Sequence, residues 1–177
     1  MPQLHLHEVD SPEPRRIDGA VLVDWWVDLA CSDVAASVEQ LDDLVEELGD
    51  AVVVRLRHFP LVSHVWSVAA AQCQAEADAQ GRGREFAVHA LAMIDEVDGP
   101  GDYVELAEHL GLDADEVASA LFDGRHADAV AADAAEGRAL GVTGTPTFVV
   151  DGLLVGAGDT LEGAIDAVRS RIGRALG

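Results

Sequence analysis

Apolar residues along the first third of the chain change from continuous runs to helical spacing and back. Two runs rich in β-branched and aromatic residues, Ala20–Val27 and residues 51–56, predict buried strands. Between them the apolar positions recur at helical spacing and stop at Gly49, which predicts a helix ending on a glycine. This strand–helix–strand order is typical of a parallel βαβ unit.

From about residue 64 to residue 140 the apolar spacing is helical throughout, and no convincing strand interrupts it. Asp113 follows a Gly-Leu step, so it is placed to cap a helix that runs through Leu121. The pattern predicts helices over residues 65–80, 84–94, 103–110, 113–121 and 127–140, the last ending at Gly141.

The end of the chain returns to strands. Thr147–Val150 and residues 153–155 flank Asp151-Gly152, a two-residue sequence that is typical of a tight hairpin. An amphipathic helix closes the chain, with apolar side chains at Leu161, Ile165, Val168 and Ile172. At the other end, alternating Leu4, His5, Leu6 and His7 predict a short edge strand, followed by a polar, proline-broken stretch at residues 10–14.

Taken in order, these elements predict an α/β protein with a thioredoxin-like core that an all-helical segment interrupts. We expect the core to comprise residues 1–63 and 141–177, and the inserted helical subdomain to comprise residues 64–140. A chain of 177 residues, 49% of them hydrophobic, suits this single domain with an insertion.

The charge balance limits the partners. Thirty-three acidic residues against eleven Lys and Arg give a formal net charge of −22, which repels nucleic acid and anionic membrane surfaces. No apolar run approaches the roughly 20 residues that cross a bilayer. The first eight residues lack the basic and apolar regions of a signal peptide, so we expect a cytoplasmic protein.

Three segments of this sequence resemble the DsbA-like family of thioredoxin-fold proteins, and the resemblance covers nearly the whole chain from residue 17 onward. They are Trp26-Val27-Asp28-Leu29-Ala30-Cys31, His58-Phe59-Pro60-Leu61 with His64, and Gly141-Val142-Thr143-Gly144-Thr145-Pro146-Thr147-Phe148. The resemblance implies thiol–disulfide exchange on protein or small-molecule thiols and disulfides, with Cys31 as the nucleophile. It also implies a cis peptide before Pro146, facing Cys31. Substrate would then contact Thr145, Pro146, Trp26, Ser32, Asp33 and Val34.

One position departs from the family. The second cysteine of the family's CxxC motif, three residues after the first, is replaced here by Val34. Without a resolving thiol at that position, an intramolecular disulfide cannot form there. The resemblance therefore leaves an oxidoreductase of single-cysteine type, which reacts through mixed disulfides at Cys31.

The surroundings of Cys31 act on its thiolate in opposite directions. A helix N-terminus stabilises a thiolate, and Ser32 or Asp33 would cap that helix. The carboxylates of Asp28 and Asp33 lie close in sequence and disfavour the thiolate. We expect a weaker thiolate than a neutral or basic pair of residues would give.

Two other functions are compatible with this sequence. The groove beside Pro146 would bind an extended chain by strand addition, without redox turnover. Alternatively, the chain would be a transferase or isomerase that uses a thiol cofactor, although no pocket for such a cofactor can be identified in the sequence. Whether the chain is an enzyme thus stays open, and we expect no bound cofactor.

The remaining candidate residues favour structural roles. Cys73 shares a helical stripe with Trp66, Ala69, Ala70 and Ala77, which is typical of a buried cysteine, although it would in principle resolve a mixed disulfide at Cys31. The seven histidines have no metal-ligand spacing, so we expect no metal site.

Overall fold

A computed structural model describes residues 6–8, 16–156 and 160–177 of the chain. The strands are β1 (Leu6–Glu8), β2 (Arg16–Ile17), β3 (Ala20–Val27), β4 (Val52–His58), β5 (Thr147–Val150) and β6 (Leu153–Gly156). The helices are α1 (Ser32–Leu48), α2 (Ser67–Ala79), α3 (Gly83–Ala92), α4 (Pro100–His109), α5 (Ala114–Asp123), α6 (Ala127–Leu140) and α7 (Leu161–Leu176). The predicted order, β-α-β, then helices, then β-β-α, is confirmed. Leu4, His5 and the stretch 10–14 lie outside the described residues.

The described strands form one mixed sheet around β3. This strand pairs in parallel with β4, from Val21 opposite Val52 to Val27 opposite His58, and antiparallel with β5. β6 pairs with β5, β1 pairs with the outer side of β6, and the short β2 pairs with the start of β3. Because β3 and β4 run in parallel, their carboxyl ends lie together at one end of the sheet.

Both faces of β3 are covered, which explains why all eight of its residues are buried. Side chains alternate between the faces of a strand. Val21, Val23, Trp25 and Val27 belong to the larger core cluster with residues of α1 and α7, whereas Trp26 belongs to a second cluster with Phe59 and residues of α6. On the second face, a Cβ at Gly137 of α6 would lie 3.0 Å from the rings of Trp26 and Phe59, so a larger residue there would have to displace these rings by a few tenths of an ångström.

Two of the predicted chain reversals have the backbone that their residues favour. Asp151 and Gly152 both have positive φ, 45° and 73°, as the tight hairpin between β5 and β6 requires. Gly49, with φ of 52°, ends α1.

Helices α2 to α6 lie between β4 and β5 in the chain. α2 is central among them, since it packs against α3, α4, α5 and α6. None of the helices in the described part of the chain is both long and apolar enough to span a bilayer.

Candidate functional site

Cys31 lies where β3 has ended and α1 begins. It is the N-cap residue of α1, with an extended backbone, and its carbonyl oxygen accepts hydrogen bonds from the N–H groups of Val34 and Ala35 at 3.1 and 3.2 Å. The expectation that Ser32 or Asp33 caps this helix is wrong, because both already lie within its first turn. No side chain caps α1, so its first backbone N–H groups are left without a side-chain acceptor beside the sulfur.

The loop before β5 lies next to the sulfur, because β5 pairs with β3 and Thr147 is opposite Trp26. The Thr145–Pro146 peptide bond is cis, and the Cys31 thiol donates a hydrogen bond to the Thr145 carbonyl oxygen at 3.6 Å. The loop is held from inside by Thr147, whose Oγ1 donates to the Gly144 carbonyl oxygen at 2.7 Å. The structure thus brings Cys31 together with the two loop residues that the resemblance placed opposite it.

Beneath this site, the buried carboxylate of Asp28 joins the turn that carries Cys31 to the segment after β4. Its Oδ1 accepts the N–H of Ala30 at 2.9 Å. Its Oδ2 accepts the N–H of Leu61 at 2.9 Å and the hydroxyl of Ser67 at 2.7 Å, and lies 2.7 Å from Nδ1 of His64. The Asp28 carbonyl oxygen accepts the N–H of Cys31 at 3.1 Å. Sequence reasoning considered Asp28 only as a charge near the thiol; its structural role depends on donors 33 to 39 residues away.

The other residues expected to contact substrate differ in how far their side chains are exposed to solvent. Ser32 and Asp33 are exposed beside Cys31, which is itself only 7% exposed. Trp26 and Val34 are 0% exposed, so neither side chain lies on the surface of the folded chain, and their contact with substrate stays a prediction. The Trp26 ring is enclosed between the sheet and α6, with the Phe59 ring edge-on at 6.4 Å and the Arg57 guanidinium 4.9 Å from its centroid. Val34 points into the core below the first turn of α1.

Sequence reasoning missed three exposed valines on the segment that Asp28 holds. Val62, Val65 and Val68 are exposed, while Leu61 and Ser67 on the same segment bond to the Asp28 carboxylate. Their spacing of three residues is typical of a buried helical stripe. It does not predict exposure, because α2 begins only at Ser67 and residues 62–66 form turns and a bend.

Cys73 has the surroundings of a core residue. It is 0% exposed on α2, together with Ala70 and Ala77, and both cysteines are free thiols. Burial raises the pKa of the Cys73 thiol from 9.0 to about 12. A thiol that is protonated and inaccessible in the folded chain is a poor nucleophile.

The raised pKa predicts a pH dependence of stability. Above pH 9 the unfolded chain loses the Cys73 proton while the folded chain retains it up to about pH 12. The unfolded state then binds fewer protons, so this thiol's contribution to stability is complete below pH 9 and is lost between pH 9 and 12. We therefore compare Cys73→Ala with the wild type by urea titration at pH 8, 9 and 10. We expect the free energy of unfolding of the variant to fall less steeply with pH than that of the wild type, by up to about 1.4 kcal/mol per pH unit.

Burial also raises the pKa of Tyr103, from 10.0 to about 12. For this reason the free energy of unfolding of Cys73→Ala should still fall somewhat above pH 10. If the free energy of unfolding changed equally with pH in the wild type and in Cys73→Ala between pH 9 and 10, the raised pKa of Cys73 would be contradicted.

Within residues 6–8, 16–156 and 160–177, no group of three or more His, Cys, Asp or Glu side chains comes together as a metal site. The buried His58 at the end of β4 is surrounded by Gln74 and Asp133, and burial lowers its pKa.

Comparisons with known proteins bear on the family and on the fold. The model of the DSBA-like thioredoxin domain family matches residues 62–167, which include the cis-proline loop and follow Cys31 in the chain. Over 97 residues the sequence is 38% identical to Na(+)/H(+) antiporter NhaA 3 of Salinispora tropica; the match covers 54% of this chain and 15% of that protein.

Solved structures share the fold. The oxidoreductase DsbA from Xylella fastidiosa superposes with a TM-score of 0.78 at 20% identity, over 97% of this chain and 95% of that one. A single-substitution variant of DsbA from Pseudomonas aeruginosa gives 0.78 at 17% identity, over 98% and 96%. BdbD from Bacillus subtilis gives 0.75 at 14% identity, over 92% and 98%.

Proposed function

Because the chain belongs to the DSBA-like thioredoxin domain family, we propose that it is a thiol–disulfide oxidoreductase that acts through Cys31 alone. The observation that carries the proposal is the 3.6 Å hydrogen bond from the Cys31 thiol to the carbonyl oxygen of Thr145, which precedes the cis-proline. It places the only cysteine with any solvent exposure at the start of a core helix, against the loop that would hold a substrate chain.

The proposed reaction consists of two successive thiol–disulfide exchange steps. The Cys31 thiolate attacks one sulfur of a disulfide, a new S–S bond forms between Cys31 and that sulfur, and the other half leaves as a thiolate that takes up a proton. With Val34 where a second thiol would resolve this adduct, an external thiolate attacks the substrate sulfur and releases the Cys31 thiolate. In the net reaction, one half of the original disulfide becomes a free thiol and the other half forms a new disulfide with the external thiol. No external oxidant is needed.

The loop supplies groups that would position a substrate chain. Thr145 is 9% exposed, and its Oγ1 is buried without a hydrogen-bond partner among the described residues. A substrate backbone lying beside Pro146 would give this oxygen a partner, while Ser32 and Asp33 would border the substrate on the helix side. An unpartnered buried hydroxyl costs stability, which favours a role in binding.

The exposed valines support a protein as one partner. Val62, Val65 and Val68 lie on the segment that Asp28 ties to the Cys31 turn. Three exposed valines within seven residues favour an interaction surface. We propose that they contact apolar residues beside the substrate cysteine. Small disulfides would react without this contact.

Intact-protein mass after incubation with glutathione disulfide tests the proposal. We expect one glutathionyl group on the folded wild type, removed by a second thiol, and one on Cys73→Ala. We expect none on Cys31→Ser, because Cys73 is fully buried. The adduct on Cys73→Ala is the matched control for loss of a cysteine in general.

A second candidate is a binding module without redox turnover, which Val34 and the low exposure of Cys31 favour. If folded wild type acquires no adduct, while an extended cysteine-free peptide binds equally to wild type and Cys31→Ser, the module is correct and the oxidoreductase is not.

A further inference from the structure

The three segments that meet at the Cys31 site differ from a neutral surface in one direction only. They are residues 28–35, residues 61–68, which the Asp28 carboxylate holds, and the cis-proline loop, residues 141–147. Together they contain two carboxylates, Asp28 and Asp33, one imidazole, His64, and neither lysine nor arginine. A disulfide that approaches the Cys31 sulfur therefore meets negative charge and no arginine from these segments.

Asp33 is the exposed carboxylate of the two. It lies in the first turn of α1, the helix whose N-cap is Cys31. Two steps of about 3.8 Å separate their Cα atoms, which therefore lie within about 7.6 Å of each other. This is shorter than the Debye length of about 10 Å at 0.1 M salt. Within the described residues Asp33 forms no ion pair and no side-chain hydrogen bond, so its charge acts on whatever approaches the thiol.

The other carboxylate and the imidazole contact each other. The Asp28 side chain is 0% exposed, and its Oδ2 lies 2.7 Å from Nδ1 of His64, whose side chain is 30% exposed. An imidazolium at this position would neutralise the carboxylate that it contacts. This pair therefore does not offset the charge of Asp33.

Two arginines lie on elements next to these segments. Arg57 of β4 forms ion pairs with two carboxylates of α6. Arg138 of α6 lies over the Phe59 ring, 5.8 Å from its centroid. Phe59 belongs to the cluster on the second face of the sheet, whereas Cys31 belongs to the cluster on the first. Neither arginine therefore compensates Asp33 on the side of the sulfur.

We propose that the Cys31 site selects cationic disulfides, and that Asp33 determines this preference. The substrate class is a disulfide with a lysine, an arginine or another amine beside the reacting sulfur. The proposal rests on the thiol–disulfide exchange proposed above and leaves its two steps unchanged. Oγ1 of Thr145, which is buried without a partner among the described residues, would bind the substrate backbone whatever charge the substrate carries. The net charge of −22 acts in the same direction as Asp33 at longer range.

The test compares the rates at which three disulfides modify the folded full chain at pH 8, followed by intact-protein mass. Cystamine is a dication, hydroxyethyl disulfide is neutral, and glutathione disulfide has a net negative charge. Each rate constant is divided by the one for 2-mercaptoethanol, a neutral thiol, to remove the intrinsic reactivity of the disulfide. We expect the corrected ratio of cystamine to glutathione disulfide to be at least about tenfold in about 0.02 M salt, and to fall at least about threefold in about 0.5 M salt.

Asp33→Asn should lower this ratio in low salt by at least about threefold. Both disulfides react with the same thiolate, so any change in the thiolate population of Cys31 cancels in the ratio. The matched control is Glu46→Gln, which removes one exposed carboxylate from the same helix about 20 Å further along its axis. This control should leave the ratio within about twofold of the wild type.

The outcomes separate this proposal from the one on which it rests. A preference for cystamine that comes from its smaller size would persist in high salt and in Asp33→Asn. A ratio that neither salt nor Asp33→Asn changes therefore overturns selection by charge, while exchange at Cys31 stands. If none of the three disulfides modifies Cys31 in the folded chain, the oxidoreductase proposal fails, and selection by Asp33 fails with it.

Discussion

Val34→Cys is expected to convert the chain from a protein that accumulates a mixed disulfide into one that forms an internal disulfide. In an α-helix, side chains three residues apart are neighbours, about 5–6 Å between Cβ atoms, and disulfides join residues whose Cα atoms are about 4.4–6.8 Å apart. After Cys31 attacks glutathione disulfide, the introduced thiol would attack the Cys31 sulfur and expel glutathione. We expect the adduct to decay at least about 100-fold faster than in the wild type, because resolution becomes intramolecular.

Mass spectrometry distinguishes the two products. Wild type should keep one glutathionyl group, and Val34→Cys should instead lose two hydrogens. Val34 is fully buried, so the substitution should cost about 1 kcal/mol in stability, as losses of single buried methyl groups do. The matched control is Val38→Cys on the same helix, because a residue seven positions from Cys31 lies about 10.5 Å along the axis, beyond disulfide reach. A persistent adduct on Val34→Cys would mean that the missing thiol is not what limits resolution.

Local patterns were sufficient to predict the order of the elements. Each depends on residues close together in sequence: the continuous apolar run of β3, the helical spacing of α1 up to Gly49, and the Asp151-Gly152 hairpin, whose two residues both adopt positive φ. The boundaries were less accurate. The helix predicted from residue 65 begins at Ser67, and the strand predicted to end at residue 56 continues to His58, which pairs with Val27.

Contacts between distant residues decided what the sequence could not show about the site. An aromatic residue at a strand end is compatible with a groove wall or with the core; Trp26 is in the core because Gly137, more than 100 positions later, lets α6 approach its ring. In the same way, nothing around Asp28 in the sequence identifies its partners, since three of its four donors come from residues 61–67. The resemblance identified Cys31 and Thr145 because both belong to local motifs.

Asp28→Ala is expected to be the most destabilising single substitution near the site. The Asp28 side chain is fully buried, and its removal leaves the N–H groups of Ala30 and Leu61, the Ser67 hydroxyl and Nδ1 of His64 without their acceptor. Hydrogen bonds to a charged group contribute about 1.5–3 kcal/mol each, with incomplete additivity and partial replacement by water. We expect a loss of about 4 kcal/mol in the free energy of unfolding, measured by urea titration at pH 7.

Asp28→Asn separates the shape of this side chain from its chemistry. The amide keeps the volume but presents an NH₂ group to neighbours that are themselves donors, so we expect a loss of about 2 kcal/mol. Asp33→Asn is the matched control, because it makes the same chemical change on the exposed first turn of α1 and should stay within about 0.5 kcal/mol of the wild type. Hydrogen exchange should locate the damage in both Asp28 variants, with faster exchange at Ala30, Cys31 and Leu61 before β3 is affected. If Asp28→Ala unfolds at the wild-type urea concentration, the carboxylate does not hold the Cys31 turn to the segment after β4, which carries the exposed valines.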